Sequence, residues 1–102
     1  MLESEIFEII SHGGDARGYA YEALKAARTG NFKEAEELLS KAQEELDIAH
    51  NTQTKLIQAE INGGELKMTL LMVHAQDQLM TAISEKSLIE QMVEMCKEMK
   101  KE

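Results

Sequence analysis

The chain has 102 residues, a formal net charge of −8, no proline, one cysteine and 43% hydrophobic residues. This length permits one domain with a modest core, and the composition is typical of an all-helical protein. The negative charge argues against a nucleic acid or an anionic membrane as a direct partner. The isolated Cys96, the acidic N-terminus and the lack of an apolar run of roughly 20 residues predict a cytoplasmic protein without disulfides or membrane spans.

The first predicted helix spans residues 4–28. Its apolar and small residues recur at steps of three and four, which indicates one buried stripe. The stripe consists of Ile6, Ile9, Ile10, Gly13, Ala16, Ala20, Ala23, Leu24 and Ala27. Gly13-Gly14 costs roughly 1 kcal/mol per glycine relative to alanine. The pair indicates either a bend or close helix crossing, or room beside a site on a neighbouring helix. Arg17 either pairs with a nearby acid at the surface or neutralises an anion.

The second predicted helix spans residues 32–60, after a turn at residues 29–31. Gly30 suits the position that follows a helix end, and Asn31 and Glu34 have the spacing of a capping box. A narrow apolar seam with heptad spacing follows, which is typical of nearly antiparallel helices. Its members are Phe32, Ala35, Leu39, Ala42, Leu46, Ala49, Gln53 and Leu56. We expect His50, beside this seam, to be a hydrogen-bonded packing residue, and no histidine spacing supports a zinc site within one chain.

The third predicted helix spans residues 65–100 and is apolar on two faces. It contains every methionine other than Met1. Two helices of the same chain can cover only one face, so the other is predicted to meet further subunits in a closed, cyclic oligomer. A monomer with an exposed apolar helix is the alternative. The fold prediction is therefore an all-α, antiparallel, up-down-up three-helix bundle with a long C-terminal helix, in one domain of residues 1–102.

The sequence VHAQDQLM, residues 73–80, places polar side chains within this apolar helix. We expect its imidazole, carboxylate and two amides to share one side of the helix: His74, Asp77, Gln76 and Gln78. Asp77 continues an apolar line. Its copies in an oligomer could bind a metal ion through oxygen, or specify the oligomeric state as a buried polar group. A neutral imidazole at His74 is a competent nucleophile towards a phosphoryl group. Hydrogen bonds to the phosphoryl oxygens could come from Gln76, Gln78 and Thr81.

Three segments together resemble the lactose/cellobiose-type IIA component of the bacterial sugar phosphotransferase system. They are IFEIISHGGDARGYAYEALKAARTGNFKEAEELLSKA, AHNTQTKLI and VHAQDQLMTAI, and the similarity spans essentially the whole chain in the family's order. The resemblance implies a cytoplasmic homotrimer whose motif histidine, here His74, takes a phosphoryl group from the histidine phosphocarrier protein and passes it to a cysteine of the IIB component. It also implies that Asp77 lies at the trimer axis around a divalent cation, usually magnesium, and that Gln76 lies near the phosphohistidine.

The family usually reads HxQDH, with a second histidine where this chain has Gln78, so no second imidazole is expected beside His74. VHAQD favours the cellobiose/diacetylchitobiose branch over the lactose branch. Such a component supports uptake and phosphorylation of a β-linked disaccharide through protein partners. It binds neither the sugar nor nucleic acid, and it meets the membrane only through the IIC permease. The alternative is a non-enzymatic adaptor, because GNFKEAEELLSKA also resembles half of a tetratricopeptide hairpin, although no second repeat appears.

Overall fold

The computed structural model describes residues 2–65 and 67–100, which form three α-helices. They are α1, Leu2–Arg28; α2, Phe32–Ile61; and α3, Leu70–Lys100. The helices lie side by side in a bundle that measures 58 × 19 × 19 Å. None of them, within the described ranges, is both long and apolar enough to cross a membrane. The prediction of an all-α protein with three helices is confirmed.

Hydrogen bonds between the helices fix their directions. Thr52, late in α2, donates to the carboxylate of Glu8, early in α1. Gln53, also late in α2, donates to Gln76, early in α3. The second helix therefore runs antiparallel to the other two, which agrees with the predicted up-down-up order.

The predicted start of the third helix at residue 65 is wrong, because α3 begins at Leu70. Thr69 caps this helix: its Oγ1 accepts a hydrogen bond from the backbone N–H of Met72 at 3.1 Å. Gly63 has a φ of 98°, a left-handed conformation that ends α2 without starting a new helix. The intervening segment is exposed where it is described, and Leu66 lies outside the described residues.

The turn between α1 and α2 agrees with the prediction at one residue and departs from it at another. Gly30 has a φ of 84°, as expected after a helix end. The side chain of Asn31 does not cap α2. Its Nδ2 donates instead to Oε1 of Glu34 at 2.9 Å. The capping-box hypothesis is therefore wrong, because the two side chains bond to each other and not to the helix backbone.

The core follows the periodicity of the sequence. Every member of the predicted stripe on α1 and of the predicted seam on α2 is buried or half-buried. At the end of the bundle where α1 ends, the core consists largely of alanine: Ala20, Ala23, Ala26, Ala27, Ala35 and Ala42. Such small side chains let the helix backbones approach closely.

One side of α3 remains uncovered within the subunit. Its exposed apolar residues are Leu70, Val73, Met80, Leu88, Met92, Met95 and Met99. We name this surface the outer face, and Asp77 lies on it between Val73 and Met80. The second apolar face predicted from the sequence is thus present and exposed. An apolar surface of this extent is typical of an interface with another protein molecule, and the oligomer itself stays a prediction.

Candidate functional site

His74 lies on the second turn of α3, at the edge of the outer face. Its side chain is exposed and lines an open cavity of about 580 Å³ together with Leu70, Leu71, Val73 and Asp77. Among the described residues, the side-chain hydrogen bonds of this part of α3 do not involve the His74 ring. Its imidazole can therefore be reached by a second protein.

Asp77 is exposed on the outer face, three residues after His74. Its backbone carbonyl accepts a hydrogen bond from Thr81 Oγ1 at 2.7 Å. Its carboxylate forms no ion pair within residues 2–65 and 67–100. Val73 and Met80, its neighbours along the face, are 41% and 56% exposed. Both carboxylate oxygens thus remain available to a ligand at a surface that is otherwise apolar.

Gln78 turns away from the outer face and packs on α1. A Cβ added to Gly13 would lie 3.2 Å from Gln78 Cγ, and one added to Gly14 would lie 3.0 Å from Gln78 Nε2. The glycine pair therefore provides both a close helix crossing and room for a side chain of the VHAQDQLM stretch. We name these two residues the glycine notch. The two interpretations of the pair, a close helix crossing and room beside a neighbouring helix, thus both apply.

Arg17 joins α1 to the same side of α3. Its Nε donates to Glu85 Oε1 at 2.7 Å, and its Nη1 donates to Gln78 Oε1 at 2.7 Å. Nη2 donates to the hydroxyl of Thr81. The expected pairing with an acid is confirmed, although Glu85 was not identified from the sequence. The sequence does contain a pattern that indicates a shared partner for these residues. Gln78, Thr81 and Glu85 recur at steps of three and four, so they lie on one side of α3.

Gln76 lies on the opposite side of α3 from His74. Two residues along a helix correspond to a rotation of about 200°, which leaves the two side chains roughly 160° apart. Gln76 Oε1 accepts a hydrogen bond from Nε2 of Gln53, in the groove between α2 and α3. The expectation that both amides share the side of His74 is therefore wrong for Gln76 and right only for Gln78.

The other two histidines lie on α1 and α2. His12 Nδ1 is 2.5 Å from Glu45 Oε1. One ligand atom each from His12, Asp15 and Glu45 lies within 4.8 Å of the others, so this group could hold a metal ion. No such group was expected within one chain, because Glu45 comes from α2 and is brought close only by folding. The packing role expected for His50 is wrong, since that side chain is exposed.

Comparisons with known proteins agree along nearly the whole chain. A family model described as the lactose/cellobiose-specific IIA subunit of the phosphotransferase system matches residues 4–97. The lichenan-specific phosphotransferase enzyme IIA component of Bacillus subtilis is 49% identical over 94 residues, which are 92% of this chain and 86% of that protein.

Two solved structures are similar in both sequence and fold. The cellobiose-specific enzyme IIA from Bacillus anthracis has a TM-score of 0.94 and 40% sequence identity, and the match covers 96% of this chain and 90% of that chain. The IIA(Chitobiose)–HPr complex of the N,N'-diacetylchitobiose branch of the Escherichia coli phosphotransferase system has a TM-score of 0.86 and 37% identity. That match covers 98% of this chain and 97% of that chain.

Proposed function

This chain belongs to the lactose/cellobiose-specific IIA family of the phosphotransferase system, and we propose that it carries a phosphoryl group on His74. Its family makes it a phosphotransferase component, so the alternative of a tetratricopeptide-like adaptor is wrong. The observation that carries the proposal is the position of His74, which is exposed beside a largely apolar cavity and outside the hydrogen bonds of α3. An imidazole without other partners keeps a lone pair for phosphorus, and an apolar border lets a docked protein exclude water.

The proposed step moves a phosphoryl group from a phosphohistidine of a donor protein to a ring nitrogen of His74. The lone pair of that nitrogen forms the new N–P bond, while the N–P bond of the donor breaks and its electron pair returns to the donor nitrogen. The second ring nitrogen of His74 releases one proton to solvent, and the donor ring takes up one. Such a transfer depends on in-line positioning and on hydrogen-bond donors for the phosphoryl oxygens.

The proposed donor is the histidine phosphocarrier protein, and the proposed acceptor is a cysteine of a IIB component. A relative with the same fold forms a complex with HPr, which supports the choice of donor. In the second transfer the cysteine thiolate attacks phosphorus, the N–P bond to His74 breaks, and the ring nitrogen recovers its electron pair. Both partners would use the same exposed cavity in turn, in the cytoplasm, and the chain would approach the membrane only through the IIC permease.

The outer face of α3 supports a cyclic homotrimer. The exposed apolar residues of the outer face would be buried if copies of α3 packed against one another around an axis. Asp77 lies on this face, so three carboxylates would converge, and like charges at short distance repel. Hard divalent cations prefer carboxylate oxygens, and the Asp77 carboxylate has no competing ion pair among the described residues. The Asp77 carboxylates of the three subunits would together hold a single ion, for example Mg²⁺, whose two positive charges would offset most of the converging negative charge.

A cyclic trimer would also give Gln76 a place in the site. In such an assembly, one flank of each α3 meets the opposite flank of the next copy. His74 and Gln76 lie on opposite flanks of Asp77, about 60° and 100° away around the helix. Gln76 of one subunit would therefore lie near His74 of its neighbour. Its amide Nε2 would be free to donate there, because Gln53 bonds only to Oε1.

The transported sugar is proposed to be a β-linked disaccharide of the cellobiose/diacetylchitobiose type. Relatives with similar sequence or fold are named for lichenan, cellobiose and chitobiose. A lactose-specific relative from Lacticaseibacillus casei is also similar, at 47% identity over 77 residues, so the proposal of a branch rests on the VHAQD motif. A complementation assay in a strain lacking its own IIA would compare growth on cellobiose, diacetylchitobiose and lactose.

Phosphorylation in a reconstituted system tests the assignment of His74. The protein is incubated with phosphoenolpyruvate, the first phosphotransferase enzyme and the carrier, and its mass is measured at neutral and acid pH. We expect one added phosphoryl group that is lost in acid, and no addition to His74→Ala. His12→Ala and His50→Ala serve as matched controls that keep full labelling. Labelling of His74→Ala at the wild-type level would disprove the assignment.

A further inference from the structure

We propose that Arg17 is a positioning residue, which orients the amide of Gln78 so that it donates a hydrogen bond to a phosphoryl group on His74. The inference rests on the proposed phosphorylation of His74. It gives a specific purpose to Arg17 and to the glycine notch, which bring α1 against the only amide that shares a side of α3 with His74.

The glycine notch confines the side chain of Gln78. Because a Cβ at Gly13 or Gly14 would lie 3.2 or 3.0 Å from atoms of Gln78, that side chain lies flat against the α1 backbone. At Gly18, one turn beyond, an added Cβ would have nothing within 4 Å. The close approach is thus restricted to the two glycines that face Gln78.

Arg17 fixes the orientation of the Gln78 amide, that is, the directions in which its oxygen and its nitrogen point. A guanidinium has only hydrogen-bond donors, and Arg17 Nη1 donates to Gln78 Oε1 at 2.7 Å. Gln78 Nε2 must therefore point away from Arg17. Its one acceptor in the described part of the chain is the carbonyl of Ile10, at 3.5 Å, which is a long distance for a hydrogen bond. At least one N–H of this amide is consequently available to another acceptor.

The available N–H belongs to a residue on the same side of α3 as His74. Gln78 follows His74 by one helical turn, and side chains four residues apart on a helix are neighbours. A phosphoryl group on the imidazole would present negatively charged oxygens, which only accept hydrogen bonds. With Oε1 turned towards Arg17, the amide offers its nitrogen to these oxygens; in the reverse orientation, Oε1 would face them and repel them.

Arg17 acts through Gln78 and not by direct contact with the phosphoryl group. Its other acceptors, Thr81 and Glu85, follow His74 by seven and eleven residues, or roughly 10 and 16 Å along the helix axis. The ion pair with Glu85 holds the guanidinium on the far side of Gln78 from His74. The guanidinium is therefore held where it can orient the Gln78 amide, but it is separated from the reacting atoms at the His74 ring.

The lifetime of the phosphohistidine at neutral pH, measured by the loss of label, tests the inference. Gln78→Glu keeps an acceptor for Arg17 but has no N–H. We expect the phosphohistidine of this variant to hydrolyse about tenfold faster than that of the wild type. Tenfold is roughly the smallest effect expected when a hydrogen bond to a charged group is lost. Arg17→Met lets the amide adopt both orientations, so we expect an acceleration between about twofold and tenfold. Arg28→Met, an exposed arginine at the other end of α1, is the control and should keep the wild-type lifetime.

A double-mutant cycle separates positioning from a merely structural role. The effect of Arg17→Met should disappear in a Gln78→Ala background, because no amide remains to be oriented. If Arg17→Met does not fold, Arg17→Lys replaces it, since a single ammonium cannot reproduce the fork that holds three acceptors. A wild-type lifetime in Gln78→Glu, or an undiminished Arg17 effect without Gln78, would overturn the inference. Absence of label on the wild type would instead contradict the proposed function.

Discussion

Gly13 and Gly18 form a matched pair of positions for testing how closely α1 packs on α3. Both lie inside α1, so alanine at either position gains the same intrinsic helix propensity, about 1 kcal/mol. Their surroundings differ. Gly13 is buried against Gln78, whereas Gly18 is exposed with nothing within 4 Å of an added Cβ. The difference in stability between the two variants therefore isolates the contact with Gln78.

The structure gives the sign of each change. Gly18→Ala should raise the free energy of unfolding by about 0.5–1 kcal/mol. At Gly13 the added methyl group would lie 3.2 Å from Gln78 Cγ and 3.7 Å from the Gln78 carbonyl oxygen. The side chain cannot withdraw easily, because Arg17 holds its amide. Overpacking of this kind costs about 1–3 kcal/mol, so we expect Gly13→Ala to destabilise the protein by as much as about 2 kcal/mol.

Thermal unfolding followed by circular dichroism measures the difference. All variants are compared at one protein concentration, because the proposed assembly would make the Tm depend on concentration. For a domain of this size, 1 kcal/mol corresponds to about 4–8 °C. We therefore expect the Tm of Gly13→Ala to lie at least about 4 °C below that of Gly18→Ala. In a Gln78→Ala background, the contact is removed and alanine at position 13 should become stabilising.

Equal Tm values for Gly13→Ala and Gly18→Ala would refute this reasoning. They would show that Gln78 moves aside without cost, so the glycine notch would not confine it. A low Tm for Gly13→Ala that persists without the Gln78 side chain would place the conflict in the α3 backbone instead.

Three further changes test other parts of the structure. Asp77→Leu should leave the proposed trimer intact or strengthen it, since it would replace converging charges by apolar packing; dissociation of this variant to monomers in sedimentation would show that the proposed cation holds the assembly. Thr69→Ala should cost about 1 kcal/mol in urea unfolding through loss of the α3 cap, with Thr69→Ser close to wild type. Hydrogen bonds from Lys97 to Glu36 and Glu94 raise the pKa of Lys97 above its usual 10.5. The contribution of these hydrogen bonds to stability is complete at pH values below the usual pKa, and it is lost as the pH rises through the raised pKa. Lys97→Met should therefore be less stable than wild type at neutral pH, and the two should converge in strongly alkaline urea titrations.

The helices were predictable from the sequence because their buried residues recur with helical spacing. The stripe on α1 and the seam on α2 appear in the structure as expected. The start of α3 was missed, although Thr69 directly before the apolar run Leu70-Leu71-Met72-Val73 has the pattern of an N-cap. The Gly63-Gly64 pair indicates the turn that ends α2, but a glycine pair does not indicate the length of the segment that follows it.

Parts of the site were predictable for a different reason. His74 and Asp77 are conspicuous as polar residues within an apolar stretch, and both are exposed at the surface of α3. The partners of Gln76 and Gln78 were not predictable. Gln53 and Arg17 are separated from them by 23 and 61 residues, and helical periodicity gives the face on which a residue lies but not the residue that it meets across a bundle.

The packing of α1 on α3 bears directly on the direction in which His74 points. Rotation of α3 by one residue, about 100°, would move the imidazole either into the core or onto the outer face. The contact of Gln78 with the glycine notch and the bonds of Arg17 oppose this rotation, because both act on residues within 40° of His74 around the helix. In a trimer formed through the outer face, neighbouring subunits would also pack against α3 around Asp77 and would oppose the same rotation. In such a trimer His74 would lie between two packed surfaces and belong to neither, so the helix would hold its backbone in place while the exposed ring stays open to a partner. Such an arrangement would satisfy the in-line requirement of the proposed phosphoryl transfer between two proteins without a lid or a moving loop.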